Sequence, residues 1–126
     1  MTLVDSVGWI EYATDGPLAS AYAAHLKMLE QVVTPTIVVY EVYKVIKRVR
    51  SEEEALAAMA QLGKTRLVPL TDAIALMAAD VSLEHRLGMA DAIVYATALA
   101  ESARLVTSDH HLAHLPGVLF LEKPSP

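Results

Sequence analysis

Residues 90–109 read ADAIVYATALAESARLVTSD and join two elements of different kinds. The part up to Ala103 is apolar almost all round, which predicts a deeply buried helix. RLVTSD then supplies a short apolar run that ends at an acid, Asp109, and predicts a strand. Strands separated by helical segments are typical of a parallel sheet with helices on both faces, so the sequence indicates an α/β fold.

The same alternation extends along the rest of the chain. Pro69 places the third strand at an edge of the sheet, because proline cannot donate a ladder hydrogen bond. The predicted strands are TLVD (2–5), VVT (32–34), RLVPL (66–70), RLVTSD (104–109) and VLFL (118–121). The predicted helices are SVGWIEYA (6–13), LASAYAAHLKMLEQ (18–31), TIVVYEVYKVIKRVR (36–50), EEALAAMAQL (53–62), DAIALMAADVSLEHRL (72–87) and ADAIVYATALAESA (90–103), with a short helical turn at HHLAHL (110–115).

Several helix ends are marked in the sequence. Ser51 with Glu54 three residues later forms a capping box at the start of one helix. Thr71 or Asp72 is expected to cap the next helix. Gly88 is expected to end that helix, since glycine is the usual residue just past a helix C-terminus.

Length and composition predict a single domain over residues 1–126. The chain has 126 residues and 54% hydrophobic content, which is ample for one core. The apolar surplus in TIVVYEVYKVI (36–46) and ADAIVYATALA (90–100) predicts that part of it forms a symmetric dimer interface. Its lack of cysteine excludes disulfides and thiolate metal sites. Neither a secretory leader nor a membrane span is apparent, so we expect a soluble, cytoplasmic protein.

Four acids interrupt apolar segments, where a charged side chain is costly unless something compensates it. Asp5 closes the first strand, Asp109 follows the fourth, Asp91 opens an apolar helix, and Glu41 lies inside residues 36–50. The Val and Ile content of that last segment favours a strand, but its length and basic end favour the helix that we predict. Ligands bind outside the carboxyl ends of parallel strands, so we expect the acids to converge there. Converging carboxylates stay ionised only with cations, which predicts a divalent metal site.

Each acid also has a simpler explanation. An Asp at a strand-to-helix junction is commonly an N-cap, and this applies individually to Asp5, Asp91 and Asp109. Glu41 inside a helix caps nothing, so it is exposed, paired with a base such as Lys44, or turned towards a charged ligand. The coincidence of all four at one sheet edge favours the metal site.

Basic residues concentrate directly after Glu41, in YKVIKRVR. Lys44, Lys47 and Arg48 are candidate phosphate contacts, although with Arg50 they would equally form a solvated helix end that suits the helix dipole. The net charge of −5 does not exclude a nucleic-acid partner, because removing the four candidate acids leaves 10 basic against 11 acidic residues, or −1.

The histidines offer a rival metal site. His110 and His114 in HHLAH are four residues apart, which would place two imidazoles on one helical face, as zinc ligands often are. The segment lacks the Glu of H-E-x-x-H, so we interpret these residues and His111 as incidental surface histidines.

Taken in order, four segments resemble the PIN-domain nucleases, and most closely the VapC-type toxins of toxin-antitoxin pairs. The resemblance covers essentially the whole chain and implies a three-layer α/β/α sandwich with a five-stranded parallel sheet ordered 3-2-1-4-5. It also implies a Mg²⁺- or Mn²⁺-dependent endoribonuclease that cleaves RNA, a homodimer, and a VapB-like antitoxin that blocks the acidic pocket. The segments are LVDSVGWIEY (3–12), TPTIVVYEVYK (34–44), LGMADAIVYATALAESARLVTSD (87–109) and LPGVLFL (115–121).

The four acids match the acidic positions of that family. Because Mg²⁺ takes oxygen ligands and keeps several waters, we assign Asp5 and Asp91 as core metal ligands, with Asp109 bound directly or through water. Glu41 would hold a water or receive its proton as the metal activates that water towards phosphorus.

The supporting residues and one departure complete the comparison. Thr107 matches a hydroxyl position two before the last acid, and Thr107 and Ser6 would orient a carboxylate or contact phosphate, or serve only as a strand-end hydroxyl and a helix cap. Family members often carry a further acid two residues beyond Asp109, where this chain has His111, which puts a second-metal role of that loop in doubt. A catalytically weak PIN-like module that binds RNA or a protein partner is the alternative function.

Overall fold

A computed structural model describes residues 1–124, so the last two residues of the predicted domain over 1–126 lie outside the described range. The strands are β1 (Thr2–Val4), β2 (Val32–Pro35), β3 (Arg66–Val68), β4 (Arg104–Thr107) and β5 (Val118–Phe120). The α-helices are α1 (Ser6–Ala13), α2 (Ala19–Ala23), α3 (Thr36–Val49), α4 (Glu52–Leu62), α5 (Asp72–His85) and α6 (Met89–Ala100), and a 3₁₀ helix spans Leu29–Gln31.

The five strands form one parallel sheet in the order β3-β2-β1-β4-β5, which confirms the predicted fold class and the edge position of β3. At its centre, Leu3 of β1 lies opposite Val33 of β2 on one side and Leu105 of β4 on the other. The chain runs outward from β1 to β3 and then returns to β4 on the far side of β1. The sheet therefore has its topological switch point between β1 and β4, where ligands bind in folds of this kind.

Helices cover both faces of the sheet. Parallel crossover connections are right-handed, so α1 to α4 lie on one face and α5 and α6, which connect β3 to β4, on the other. In agreement, α1 packs against α2 and α3, α3 packs against α4, and α5 packs against α6. Within residues 1–124, no helix combines the length and the apolar character that crossing a membrane requires.

The core is centred on the middle strands and on α6. Leu3, Val4, Leu105 and Val106 are almost completely buried, as is every residue of α6 from 92 to 98, which confirms the deep burial predicted for this helix. The ambiguous segment 36–50 is helical, because its apolar residues bury one face at a spacing of four. Those residues are Val38, Val42 and Ile46.

The predicted N-caps are largely confirmed. Ser51 accepts a hydrogen bond of 3.0 Å from the Glu54 backbone N–H, and Thr71, rather than Asp72, caps α5 with a hydrogen bond to the Ile74 N–H. The prediction that Gly88 ends α5 is wrong. Arg86 ends that helix in the left-handed conformation, with φ of 57°.

Two helical predictions differ from the structure. The helix predicted over 18–31 ends at Ala23, after which His25 and Leu26 donate to carbonyls three residues back, in tight turns that still bury Leu26. The helical turn predicted over 110–115 is instead a series of tight turns, in which Leu112 and Leu115 are buried. In both segments, apolar residues three or four positions apart are buried although the backbone forms turns and not a continuous helix.

Candidate active site

Two acids project from the ends of the two central strands and are joined by one hydroxyl. Asp5 follows β1 and Asp109 lies two residues beyond β4, at the carboxyl edge of the sheet. The Thr107 hydroxyl donates a hydrogen bond of 2.8 Å to Asp5 Oδ2 and accepts one of 3.0 Å from the Asp109 backbone N–H. Thr107 therefore fixes the two strand ends relative to each other.

Asp5 is the most deeply buried of the four acids, with only 5% of its surface exposed. Its Oδ1 accepts a hydrogen bond of 2.7 Å from the Ser6 backbone N–H, so it does cap α1, as the simpler explanation held. Burial raises the pKa of Asp5, and the negative charge of Asp109 adds to this, while the hydrogen bonds from Thr107 and Ser6 act in the opposite direction. A helix cap alone does not explain a buried acid that lies beside other acids.

Asp91 lies in the first turn of α6, whose N-terminus points towards the same edge of the sheet. Burial, followed by the charge of Asp109, a hydrogen bond with the Asp109 side chain and the charge of Asp5, raises the pKa of Asp91 to about 7. The side chain of Asp91 makes no capping hydrogen bond, since the N-cap of α6 is Gly88. The N-cap explanation is therefore wrong for this acid.

Glu41 lies on α3 and is close enough to Asp5 to interact with its charge. Burial raises the pKa of Glu41, and the charge of Asp5 raises it further, while a hydrogen bond from the Ser6 side chain lowers it. Ser6 thus interacts with both Asp5 and Glu41. The alternative pairing of Glu41 with Lys44 is not formed, because the Lys44 ammonium donates to the Tyr40 hydroxyl at 3.2 Å.

The structure brings the four predicted acids together around Asp5. Within residues 1–124, the close group of potential metal ligands contains Asp91, Asp109 and His111, with one ligand atom of each within 4.8 Å of the others, but neither Asp5 nor Glu41. Sequence reasoning interpreted His111 as an incidental surface residue. The signal that would have found it is its position, two residues after Asp109, where the resembling family often has an acid.

The predicted phosphate contacts lie beyond the acids along α3. The helix rises about 1.5 Å per residue, so Lys44 is about 4.5 Å and Arg48 about 10 Å further from the sheet edge than Glu41. Lys44 and Lys47 each lie over the tyrosine one turn earlier, Tyr40 or Tyr43. Lys44 is consequently the first of these cations along α3 after Glu41.

The rival histidine site is not formed. His110 packs against Phe120, with ring centroids 4.9 Å apart, and the segment lacks the helix that would align His110 with His114. Among residues 1–124, the group of three potential metal ligands contains His111 and neither of the other two histidines in that segment.

Tyr22 of α2 is a further residue beside the site, which the sequence alone did not single out. Its hydroxyl makes a hydrogen bond of 2.6 Å with the Ser108 hydroxyl, next to Asp109. Burial raises the pKa of Tyr22, and the charges of Asp5 and Glu11 add to this. The ring packs on Gly8 of α1, where a Cβ would lie only 2.6 Å from Tyr22 Cδ1, so this contact requires glycine.

An apolar surface lies on α5 and on the start of α6, the helix that also carries Asp91. Leu76 and Leu83, seven residues apart on α5, are 70% and 83% exposed. Next to them is an apolar depression of about 340 Å³ between α5 and α6. It is lined by Leu70, Ala75, Ala78, Ala79, Ser82, Met89, Ala92 and Ile93. By contrast, the apolar residues of α6, which were expected to supply a subunit interface, are mostly used in the core.

Comparison with known proteins agrees with this architecture. The family model described as the PIN domain matches residues 2–118. No curated protein matches the sequence significantly.

Solved structures that resemble the chain include a toxin-antitoxin complex from Klebsiella pneumoniae, with a TM-score of 0.83 and 24% identity over 97% of this chain and 99% of that one. VapBC2 from Rickettsia felis, bound to a DNA fragment from its promoter, has a TM-score of 0.75 and 15% identity over 96% and 97%. VapC20 from Mycobacterium tuberculosis, a toxin that cleaves the sarcin-ricin loop, has a TM-score of 0.70 and 18% identity over 82% and 85%. At these identities the likeness shows a shared fold.

Proposed function

This chain belongs to the PIN domain family, and we propose that it is a metal-dependent endoribonuclease that acts as the toxin of a toxin-antitoxin pair. The observation that carries the proposal is the convergence of Asp5, Glu41, Asp91 and Asp109 at the switch point of the sheet. The pKa values of three of these acids are raised, which means that holding them ionised together costs stability. Carboxylates perturbed in this way cluster at functional sites.

The donor set fits a divalent cation. Carboxylate oxygens are the ligands that Mg²⁺ and Mn²⁺ prefer, and a cation removes the repulsion that raises the pKa values of the acids. Asp91 and Asp109, whose oxygens come close enough to share one ion, would hold it directly. Asp5, which the sequence predicted as a core ligand, lies outside that group and would contact the ion through water. When bound, the ion would supply charge stabilisation at the scissile phosphate and make a water molecule more acidic.

Other residues of the protein would orient Asp5, accept a proton from water and bind the RNA backbone. Thr107 and the Ser6 backbone hold both oxygens of Asp5, so its carboxylate is fixed in orientation. Glu41 is half-buried, and its raised pKa makes it suited to receive a proton from the attacking water on its carboxylate oxygen. Lys44, Lys47 and Arg48 would contact the RNA backbone.

The proposed partner is a VapB-like antitoxin. The basis is that resembling structures are toxin-antitoxin assemblies, from Klebsiella pneumoniae and Rickettsia felis. An Arg or Lys of the antitoxin would bind the acids in place of metal, since a guanidinium pairs with carboxylates through two parallel hydrogen bonds. Apolar residues of the antitoxin would lie along the exposed side of α3, where Tyr40 is exposed.

We also propose that the protein is a homodimer. The exposed apolar surface formed by Leu76, Leu83, Met89 and the depression between α5 and α6 supports this, because such surfaces commonly mark interfaces. A twofold dimer uses the same patch on both subunits, so a single apolar surface is sufficient to form it.

RNA cleavage by the purified protein tests the proposal. Total RNA should acquire new 5′ ends in the presence of Mg²⁺ or Mn²⁺, EDTA should stop the reaction, and added metal should restore it. Asp5→Asn and Asp91→Asn should abolish cleavage while remaining folded, with Asp80→Asn on the exposed side of α5 as the matched control. RNA binding without cleavage under any of these metals would instead support the catalytically weak binding module.

A further inference from the structure

We propose that His111 supplies a nitrogen ligand to the metal site, so that two carboxylates and one imidazole hold the ion and select Mn²⁺ over Mg²⁺. The inference rests on the proposed metal dependence and specifies which side chains provide it. It concerns a position at which this chain departs from the acid that the resembling family often carries.

The geometry places the imidazole among the ligands. A ring nitrogen of His111 lies within 4.8 Å of a carboxylate oxygen of Asp91 and of Asp109, which is close to the roughly 4.4 Å that separates opposite ligands of one ion. His111 Nδ1 is 3.0 Å from Asp109 Oδ1. Two neighbouring ligands of one ion are about 3 Å apart, so Nδ1, in the tautomer that carries its proton on Nε2, can bind the ion beside Asp109.

A purely structural role does not account for the ring. The backbone N–H of His111 already donates to Asp109 Oδ1 at 2.8 Å, which is sufficient to hold that turn. The His111 side chain is 82% exposed, so it contributes little to packing. By contrast, His110 in the same segment packs on Phe120. The position of the His111 ring next to two acids is thus its distinctive feature.

The donor chemistry sets the metal preference. Mg²⁺ is a hard ion that strongly prefers oxygen ligands, whereas imidazole suits transition metals, and Mn²⁺ accepts both kinds of donor. Replacing a family carboxylate by an imidazole therefore weakens the site for Mg²⁺ more than for Mn²⁺. The site would also carry one negative charge fewer than an all-acid site.

Metal binding to the full-length protein tests the inference without reference to RNA cleavage. Titration calorimetry would give the Mn²⁺ and Mg²⁺ affinities of the wild type, His111→Gln, His111→Asp and the control His114→Gln. We expect His111→Gln to weaken Mn²⁺ binding about tenfold and Mg²⁺ binding by no more than about twofold. His111→Asp should strengthen Mg²⁺ binding and reduce the preference for Mn²⁺, while His114→Gln should match the wild type.

Pulsed EPR of the Mn²⁺-loaded protein distinguishes direct ligation from positioning of Asp109. A coordinated imidazole gives ¹⁴N modulation, which we expect in the wild type and His114→Gln and not in His111→Gln. Bound Mn²⁺ without ¹⁴N modulation in the wild type would overturn the inference and leave the proposed metal site intact. If the wild type bound no Mn²⁺ at all, the proposed metal dependence would fail together with this inference.

Discussion

Thr107 donates its hydroxyl hydrogen to Asp5 Oδ2 over 2.8 Å, from the end of β4 to the end of β1. The two residues are 102 positions apart in the chain, yet the parallel pairing of β1 and β4 makes them neighbours. The same hydroxyl accepts from the Asp109 N–H, so a single buried oxygen connects two acids of the candidate site. A contact of this kind stabilises the fold and orients the site at once.

Replacing Thr107 by valine should affect both the stability of the fold and RNA cleavage. Thr107→Val keeps the shape but removes the donor to Asp5 and the acceptor for Asp109, which should lower the free energy of unfolding by about 1–3 kcal/mol. Loss of a residue that orients a metal ligand should also reduce RNA cleavage roughly tenfold or more. Denaturant unfolding and a cleavage assay measure the two effects.

Two variants control this prediction. Thr107→Ser restores the hydroxyl and should recover most of the activity. Thr97→Val removes a buried hydroxyl that only donates to the Ile93 carbonyl within α6, so cleavage should be unchanged. Full cleavage by Thr107→Val would show that orientation of Asp5 does not depend on this hydrogen bond.

The raised pKa of Asp91 predicts an unusual dependence of stability on pH in metal-free protein. In the folded state its pKa is about 7, against an ordinary value of 3.8, so between these values the folded protein holds a proton that the unfolded chain has lost. Stability should therefore fall as pH rises from about 4 to about 7, by roughly 1–2 kcal/mol once solvent screening of this half-buried group is considered. The raised pKa values of Asp5 and Glu41 act in the same direction.

Asp91→Asn should flatten this dependence and stabilise the metal-free protein near pH 8. Thermal unfolding in EDTA from pH 4 to pH 8 measures the effect, with Asp80→Asn as the control that should behave like the wild type. Saturating Mn²⁺ should stabilise the wild type at pH 8 more than Asp91→Asn. A wild type that gained stability steadily over this range in EDTA would contradict the assigned repulsion.

The acids were recognisable from sequence because each interrupts an apolar segment beside a strand or helix end. Their pairing was not, since it depends on which strands become neighbours. Nothing within β1 or β4 states that Thr107 meets Asp5, and only the switch point of the sheet brings them together. His111 was missed for a related reason, because its exposed ring matters only through its distance from Asp91 and Asp109.

Strand positions were predicted well because short apolar runs between helices have few alternatives. The helix predicted over 18–31 is wrong beyond Ala23. Apolar spacing shows only which residues face the core, and the tight turns after Ala23 bury Leu26 just as a helix would. Likewise, the interface predicted in residues 90–100 rests on apolar content alone, whereas most apolar residues of α6 are buried in the protein's own core.

The exposed leucines on α5 predict how the proposed dimer would be disrupted. Leu83→Glu or Leu76→Glu should convert a dimer of about twice the chain mass to a monomer, because a buried unpaired carboxylate is costly. Light scattering at micromolar concentration measures this. Leu56→Glu changes a leucine that is also exposed, on α4, and should leave the dimer intact. A monomeric wild type would exclude the dimer, and a dimeric Leu83→Glu would place the interface elsewhere.

The acidic cluster predicts how an antitoxin would inhibit the protein. Metal and an antitoxin guanidinium would compete for the same carboxylates, so the purified complex should bind Mn²⁺ at least about tenfold more weakly than the free toxin and should not cleave RNA. Replacing the inserted Arg or Lys by Gln should restore Mn²⁺ binding while the apolar contacts keep the complex assembled. Tyr40→Ala on the exposed side of α3 should weaken the complex, whereas Tyr12→Ala on α1 serves as the matched control. A complex that bound Mn²⁺ as tightly as the free toxin and cleaved RNA at the same rate would mean that inhibition does not act through occupation of these acids.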